Sequence, residues 1–209
     1  MITKYQDNLK IDRIFQMFRD EIINLLIEKI NAKKYLEIGV CNGINFSKIK
    51  CDYKIGVDLD LNTIATHHMT SDDFFRQNTE KFDVIFIDGL HYSEQVLRDI
   101  INSLEVLKEG GYIVCHDMNP EKEEYQLVPP AFNGPWTGDC WKAFVTLRQM
   151  VDNLEMFVVN TDYGCGVISK GKQNLVKITE SLTYENFNKN RKEWLNLIEV
   201  EDFKKKIYN

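Results

Sequence analysis

The sequence predicts a doubly wound α/β fold, a mostly parallel sheet with helices on both faces, and three observations carry that reading. From Tyr35 onward, short apolar runs alternate with amphipathic stretches, the pattern of repeated strand–helix–strand units. The clearest run, FDVIFID at 82–88, is apolar and β-branched almost throughout, as a strand covered on both faces must be. Glycines fall where the first run ends, at Gly39 and Gly43, and permit a tight strand-to-helix turn.

Element by element, residues 11–30 read as an amphipathic helix, with Ile14, Phe15, Phe18, Ile22, Leu25 and Leu26 at three- and four-residue spacing. Its expected task is to pack on a sheet; a lid or a dimer face is the alternative. YLEIG and KIGVD are the first two strands, with a short helix on INFSKIK between them. A weakly patterned third strand falls within Ile64 to Met69, followed by a helix from Asp72. SEQVLRDIINSLEVLK is an amphipathic helix, with Ser93 as its N-cap and Gly110-Gly111 as its stop. GYIVCHD is the next strand. The Pro/Gly/aromatic segment at 118–138 is too long for a plain connector, so a lid or binding loop is expected there. A helix on CWKAFVTLRQMV follows, and EMFVVN with YGCGVIS forms an antiparallel pair that closes the sheet. The tail from Asn174 is polar and helical in pattern. The whole reads as one domain over 1–209, with a helical segment at 1–32, a core at 33–171 and a helical tail at 172–209.

Composition narrows the class. At 209 residues, 44% hydrophobic and 28% charged, the chain can bury one sizeable core. A net charge of -6 speaks against a nucleic-acid partner, because phosphate binding needs a positive field. The sequence has no apolar run of about 18 residues or more, so no membrane insertion is expected. The polar, mixed-charge start does not fit a secretory signal. The five cysteines are scattered, and no pair has C-x-x-C spacing, which points to reduced thiols in a cytoplasmic protein. The amphipathic ends would serve a homo-oligomer or intramolecular packing equally well.

The densest constellation is Glu37-Ile-Gly39-Val-Cys41-Asn-Gly43 at the end of the first strand, with Asp58 ending the second. In such sheets ligands sit beyond the carboxyl ends of the strands, and an acid about 20 residues after the turn can accept hydrogen bonds from a ribose. Two cofactors use this layout. The dinucleotide fingerprint G-x-G-x-x-G needs a glycine where Cys41 stands, which disfavours NAD. E-x-G-x-x-x-G instead resembles the motif of class I S-adenosylmethionine-dependent methyltransferases, whose cofactor has no phosphate to cradle.

The resemblance sharpens at IDGLHYSEQVLRDIINSLEVLKEGGYIVCHDMNP and extends over Tyr35 to Gly171, with TSDDFF, GDCWKAF and TDYGCGVI. There the chain is similar to small-molecule and macrolide-sugar O-methyltransferases. That family implies a Rossmann-like sheet of seven strands, the seventh antiparallel. It implies S-adenosylmethionine contacts from Glu37, Gly39 and Gly43 to the methionine part, from Asp58 to the ribose, and from Ser71 and Asp72 beside the adenine. Asp88 belongs to this cofactor site and also to a metal site.

Methyl transfer to an alcohol needs the hydroxyl activated by a base, a metal, or both. Asp88 and Asp117 end two predicted strands and face one crevice, and paired carboxylates suit Mg²⁺. The resemblance makes Asp88 and Asp117 metal ligands and His91 of D-G-L-H the general base. His116 takes the remaining metal position, which is acidic in some relatives; imidazole there suits Mn²⁺ or Fe²⁺ better than Mg²⁺. Each residue also has a plainer role open to it. Asp88 and Asp117 could cap turns, and His91 could be a solvated loop residue. His67 and His68 read as surface or strand-edge residues. Trp136 and Trp141 could wall an acceptor site, or anchor the loop and fill the core. The expected function is O-methylation of a small-molecule or glycan acceptor. The rivals are an NAD-dependent oxidoreductase and a non-catalytic methyltransferase-like binding protein.

Overall fold

In the computed structural model, residues 17–208 are described. Ile14 and Phe15 of the N-terminal pattern therefore lie outside the described residues. Phe18 of that pattern is exposed and holds the N-cap position, and Ile22, Leu25 and Leu26 fall in α1 (Arg19–Ile30), where they are buried with Ile23 and Ile27. The Glu21 carboxylate accepts the Phe18 backbone N–H at 2.8 Å and closes the first turn.

The sheet alternates with helices in chain order. β1 (Lys34–Ile38), α2 (Ile44–Lys48), β2 (Tyr53–Asp58), β3 (His67–His68) and α3 (Ser71–Gln77) make the first half. β4 (Phe82–Ile87), α4 (Ser93–Val106), β5 (Leu107–Cys115), α5 (Trp141–Met150), β6 (Leu154–Val159) and β7 (Cys165–Lys170) make the second. The tail adds α6 (Tyr184–Trp194), β8 (Leu197–Ile198) and α7 (Val200–Tyr208).

The strand order is β3-β2-β1-β4-β5-β7-β6-β8. β7 runs antiparallel to both β5 and β6, and the other pairings are parallel. The sheet reverses direction of growth between β1 and β4, which opens a crevice at their carboxyl ends. Seven strands were expected, and the eighth is β8, two residues inside the tail read as purely helical. It pairs with Val158 and Val159 and so covers the carboxyl end of β6.

Both sheet faces are buried. Val84, Phe86 and Val114 point to the side covered by α1, α2 and α7, where Phe46 and Phe203 complete the layer. Ile85, Ile87, Ile113 and Cys115 point to the side covered by α3, α4, α5 and α6, with Trp141, Phe144 and Phe187. This is why the central strands read as continuous apolar runs rather than as alternation.

Two boundaries differ from expectation. Ser93 is the first helical residue of α4 rather than its cap: Tyr92 holds the cap position without a side-chain bond. α4 also ends at Val106, well before Gly110-Gly111, because Leu107 is already extended and starts β5. Among the described residues, no helix is long and apolar enough to cross a membrane.

Candidate active site

A cavity of about 640 Å³ opens over the carboxyl ends of β1, β2, β4 and β5. Its walls include Gly39, Asp58, Ser71, Asp72, Asp88, His91, His116 and Asp117. Residues predicted from five separate segments thus meet in one place.

The β1–α2 turn forms one end. Gly39 has φ 87, and a Cβ there would collide with the Asp88 backbone oxygen, so the two loops can only approach this closely over glycine. Cys41, at φ 48, donates its N–H to Asp58 Oδ2 at 2.7 Å, while Asp58 Oδ1 accepts the Asp60 N–H at 2.9 Å. Asp58 is thereby aimed along the wall with accepting capacity left on both oxygens.

Glu37 and Gly43 do not line this cavity, although the resemblance placed both against the cofactor. Glu37 is fully buried behind the wall, where its Oε2 accepts Tyr35 O–H at 2.5 Å and Asn45 Nδ2–H at 2.8 Å. Desolvation outweighs those two bonds and pushes its pKa up to about 7. Gly43, at φ 74, instead packs close beneath the Ile64 side chain.

Ser71 and Asp72 open α3, capped by Thr70, whose Oγ1 accepts the Asp73 N–H at 3.0 Å. Gln95 from α4 reaches them, its Nε2 3.1 Å from Ser71 Oγ and 3.3 Å from Asp72 Oδ1. Behind it, buried Asp99 accepts from the same nitrogen at 3.0 Å. Gln95 was not singled out from the sequence, where one glutamine on a helix gives no signal.

The other end is the ionisable cluster. Asp88 follows β4 directly, and His116 and Asp117 follow β5. His91 Nε2 lies 3.3 Å from Asp88 Oδ1, and His91 Nδ1 lies 3.2 Å from Asp117 Oδ2. His116 Nδ1 lies 3.3 Å from Asp88 Oδ1 and 3.1 Å from Asp117 Oδ1. Burial disfavours the charged form of Asp88, but His116 and His91 outweigh it and hold the carboxyl well below its usual range. Burial likewise opposes charge on His91, and Asp88 and Asp117 overcome it, so the His91 pKa is raised. Asp117 adopts φ 64, an uncommon conformation for a residue other than glycine.

His116 bears on whether these groups fit a metal. It is buried, and neither ring nitrogen has a well-aligned hydrogen-bond partner. A buried imidazole whose carboxylate neighbours are close but poorly aligned is left incompletely satisfied, and a bound ion would complete it. Ligand atoms of Asp88, His116 and Asp117 lie within 4.8 Å of one another. Two carboxylates and one imidazole are a donor set suited to a divalent cation such as Mn²⁺ or Fe²⁺, and less to Mg²⁺.

Two residues of the cluster were not foreseen. Arg19 reaches in from α1, its Nη1 2.7 Å from Asp88 Oδ2 and its Nε 2.8 Å from Asp162 Oδ2. Arg19 precedes Ile22, Ile23 and Leu26 at three-, four- and seven-residue spacing, so an arginine interrupts an apolar stripe; that was its available signal. Asp162 lies in the β6–β7 turn; TDYGCGVI carries part of the resemblance, but by its residues alone the Thr-Asp-Tyr-Gly string signals a turn and no site role.

The 118–138 segment closes over His91. Trp136 stacks on the His91 ring with centroids 5.1 Å apart, and its backbone oxygen lies 3.1 Å from His91 Nδ1. Trp136 Nε1–H also donates to the Leu127 backbone oxygen at 2.8 Å, so this tryptophan both walls the cavity and anchors its loop. Trp141 is fully buried in α5, its ring tilted against Phe187 with centroids 4.3 Å apart, and belongs to the core. His67 and His68 form the edge strand β3, as their sequence reading has it.

Comparison with known proteins bears on the fold and on the stretch from β2 to the end of β5. A family model for a methyltransferase domain matches residues 58–118. No curated protein matches the chain in sequence. Among solved structures, a candidate O-methyltransferase from Klebsiella pneumoniae superposes with a TM-score of 0.56 at 14% identity, covering 73% of this chain and 80% of its own. The O-methyltransferase TomG from Streptomyces achromogenes, involved in tomaymycin synthesis and bound to S-adenosylmethionine, gives 0.54 at 13%, covering 73% and 79%. The O-methyltransferase from Bacillus cereus, in complex with S-adenosylhomocysteine, gives 0.51 at 14%, covering 78% and 87%. The chain has the Rossmann-like fold of the class I S-adenosylmethionine-dependent methyltransferases, and its residues 58–118 carry the sequence of a methyltransferase domain.

Proposed function

We propose that the chain transfers the methyl group of S-adenosylmethionine to a hydroxyl of a small molecule or glycan. His91 is the general base, and Asp88, His116 and Asp117 hold a divalent metal. The observation that carries this reading is the position of His91: it lies on the wall of the 640 Å³ cavity, between the carboxylates of Asp88 and Asp117.

The cofactor lies along the strand ends in this reading. Asp58 accepts from the ribose hydroxyls, Ser71 and Asp72 flank the adenine, and the Gly39 backbone approaches the methionine part. Glu37 and Gly43 shape the turn from behind. Reaction is displacement at the sulfonium methyl. The acceptor oxygen forms the new C–O bond, and the C–S bond breaks with its electron pair returning to sulfur. S-adenosylhomocysteine leaves, and the hydroxyl proton passes to His91. When bound, a divalent cation supplies positive charge that polarises the acceptor hydroxyl and offsets the carboxylates that favour the imidazolium form of His91. Trp136 holds the His91 ring in plane and offers an apolar face to the acceptor. Holding both reactants in one crevice supplies much of the remaining rate.

Calorimetric titration with S-adenosylmethionine, S-adenosylhomocysteine and NAD, each with and without Mg²⁺ or Mn²⁺, tests this. Binding of both adenosyl ligands but not NAD is expected, with loss of affinity in Asp58→Ala. NAD binding instead would overturn the methyltransferase reading from its first motif. With a hydroxyl acceptor that the wild type methylates, His91→Ala should lower kcat by roughly 10²–10⁴-fold.

A further inference from the structure

His116 has a neighbour that the metal reading leaves unused. Its Nε2 lies 3.5 Å from Asp162 Oδ1, on the opposite edge of the ring from Asp88 and Asp117. Asp162 is held firmly. Arg19 donates its backbone N–H and Nε–H to Asp162 Oδ2, at 3.0 and 2.8 Å, and Nη2–H to Oδ1 at 3.0 Å. The turn that presents Asp162 is itself unusual: Asp162 and Tyr163 have φ 47 and 58, a conformation rare for residues other than glycine.

A neutral imidazole has one lone pair, and the partner of one nitrogen decides which nitrogen carries it. Acceptors stand on both sides of this ring, so the ring alone does not select. With a cation at Asp88 and Asp117, the Nδ1 side must carry the lone pair, and a proton on Nε2 then needs an acceptor. Asp162 is the carboxylate in place to be one. Cys165 is near this edge too, but burial pushes its thiol up to about 12, leaving it neutral.

We infer that Asp162, clamped by Arg19, is a positioning residue for His116, taking the Nε2–H and leaving Nδ1 as the lone-pair donor between Asp88 and Asp117. The inference rests on the metal reading proposed above.

The test titrates the full chain with Mn²⁺ and follows free Mn²⁺ by electron paramagnetic resonance. Asp162→Asn keeps the shape and removes the charge, and should weaken Mn²⁺ binding roughly 10- to 100-fold. In a His116→Asp background there is no ring to position, so Asp162→Asn should there leave the affinity unchanged. Equal Mn²⁺ affinity in wild type and Asp162→Asn, or equal loss in both backgrounds, overturns the inference and leaves the metal reading standing. A wild-type chain that binds S-adenosylhomocysteine but no Mn²⁺ overturns the metal reading, and the inference with it. If Asp162→Asn does not fold, the wild type decides through long-range ¹H–¹⁵N spectra of the Mg²⁺-saturated chain. A single His116 proton on Nε2 supports the inference, and one on Nδ1 overturns it.

Discussion

Glu37 and His91 stand on either side of the cavity wall, and their neighbours treat their charges in opposite ways. Around His91, two carboxylates favour the charged ring despite burial. Around Glu37, desolvation dominates, and its pKa rises from 4.5 to about 7. An acid whose folded-state pKa is raised binds its proton more tightly in the native state than in the unfolded one. Its ionisation therefore costs stability progressively as pH rises above 4.5, and the cost levels off above about 7. Gln at this position removes that pH dependence but places an amide N–H where Oε1 now has no partner. That second effect does not vary with pH, so the comparison between pH values isolates the first. The unfolding free energy of Glu37→Gln relative to wild type should shift in the variant's favour by about 2–3 kcal/mol between pH 4.5 and pH 8. Urea titrations of both ligand-free chains at the two pH values measure this. A constant difference would mean that water or relaxation reaches the carboxylate.

At the scale of elements, the start of α4 shows what a local reading can and cannot find. Ser93 reads as a cap in the sequence, but it is the first helical residue, and the carboxylate that caps the helix is Asp139, just past the 118–138 segment. Asp139 Oδ1 accepts the Ser93 N–H at 2.7 Å and Oδ2 accepts the Ser93 hydroxyl at 3.1 Å. A negative charge there also complements the positive end of the helix dipole. Asp139→Ala should cost about 1–2 kcal/mol in urea unfolding, with Asp139→Asn closer to wild type. The strands β1, β2, β4 and β5 were legible because both-face burial writes itself as unbroken apolar runs. Asp88, His116 and Asp117 were legible because they follow those runs directly, and His91 was legible through the D-G-L-H resemblance. Arg19 and Asp162 were not, because they meet the site only through tertiary packing, from positions 143 residues apart. β8 was hidden for a related reason: two residues have no period, and only the open edge of β6 makes them a strand. The separation of Glu37 from the cavity followed from Tyr35 and Asn45, which turn its carboxylate inward.

For the whole molecule, the sheet divides the protein into two apolar layers, and the site draws on loops at only one end of it. The layer under α1, α2 and α7 depends on the C-terminal helix. Phe203 is fully buried, with its ring 6.2 Å from Phe157 on β6. The Ile207 backbone oxygen accepts Lys29 Nζ–H at 2.6 Å, and Lys206 pairs with Glu155 at 2.5 Å, tying α7 to α1 and β6. The two polar contacts involve solvent-accessible lysines, so the aromatic packing must carry most of the docking. Truncating Phe203 removes a full aromatic volume between α7 and the sheet, a change that typically costs about 3–5 kcal/mol. Set against a total stability of about 5–15 kcal/mol, that consumes much of the margin. No residue of α7 lines the cavity, so the site should be untouched while the fold holds. Phe203→Ala should therefore lower the thermal midpoint markedly, yet bind S-adenosylhomocysteine with wild-type affinity well below that midpoint. Thermal melts paired with calorimetry at low temperature check both halves. A variant that melts normally would show that α7 is not part of the cooperative core. One that loses affinity while still folded would show that the α1–α7 layer transmits to the site, with Arg19 as the residue in position to carry it.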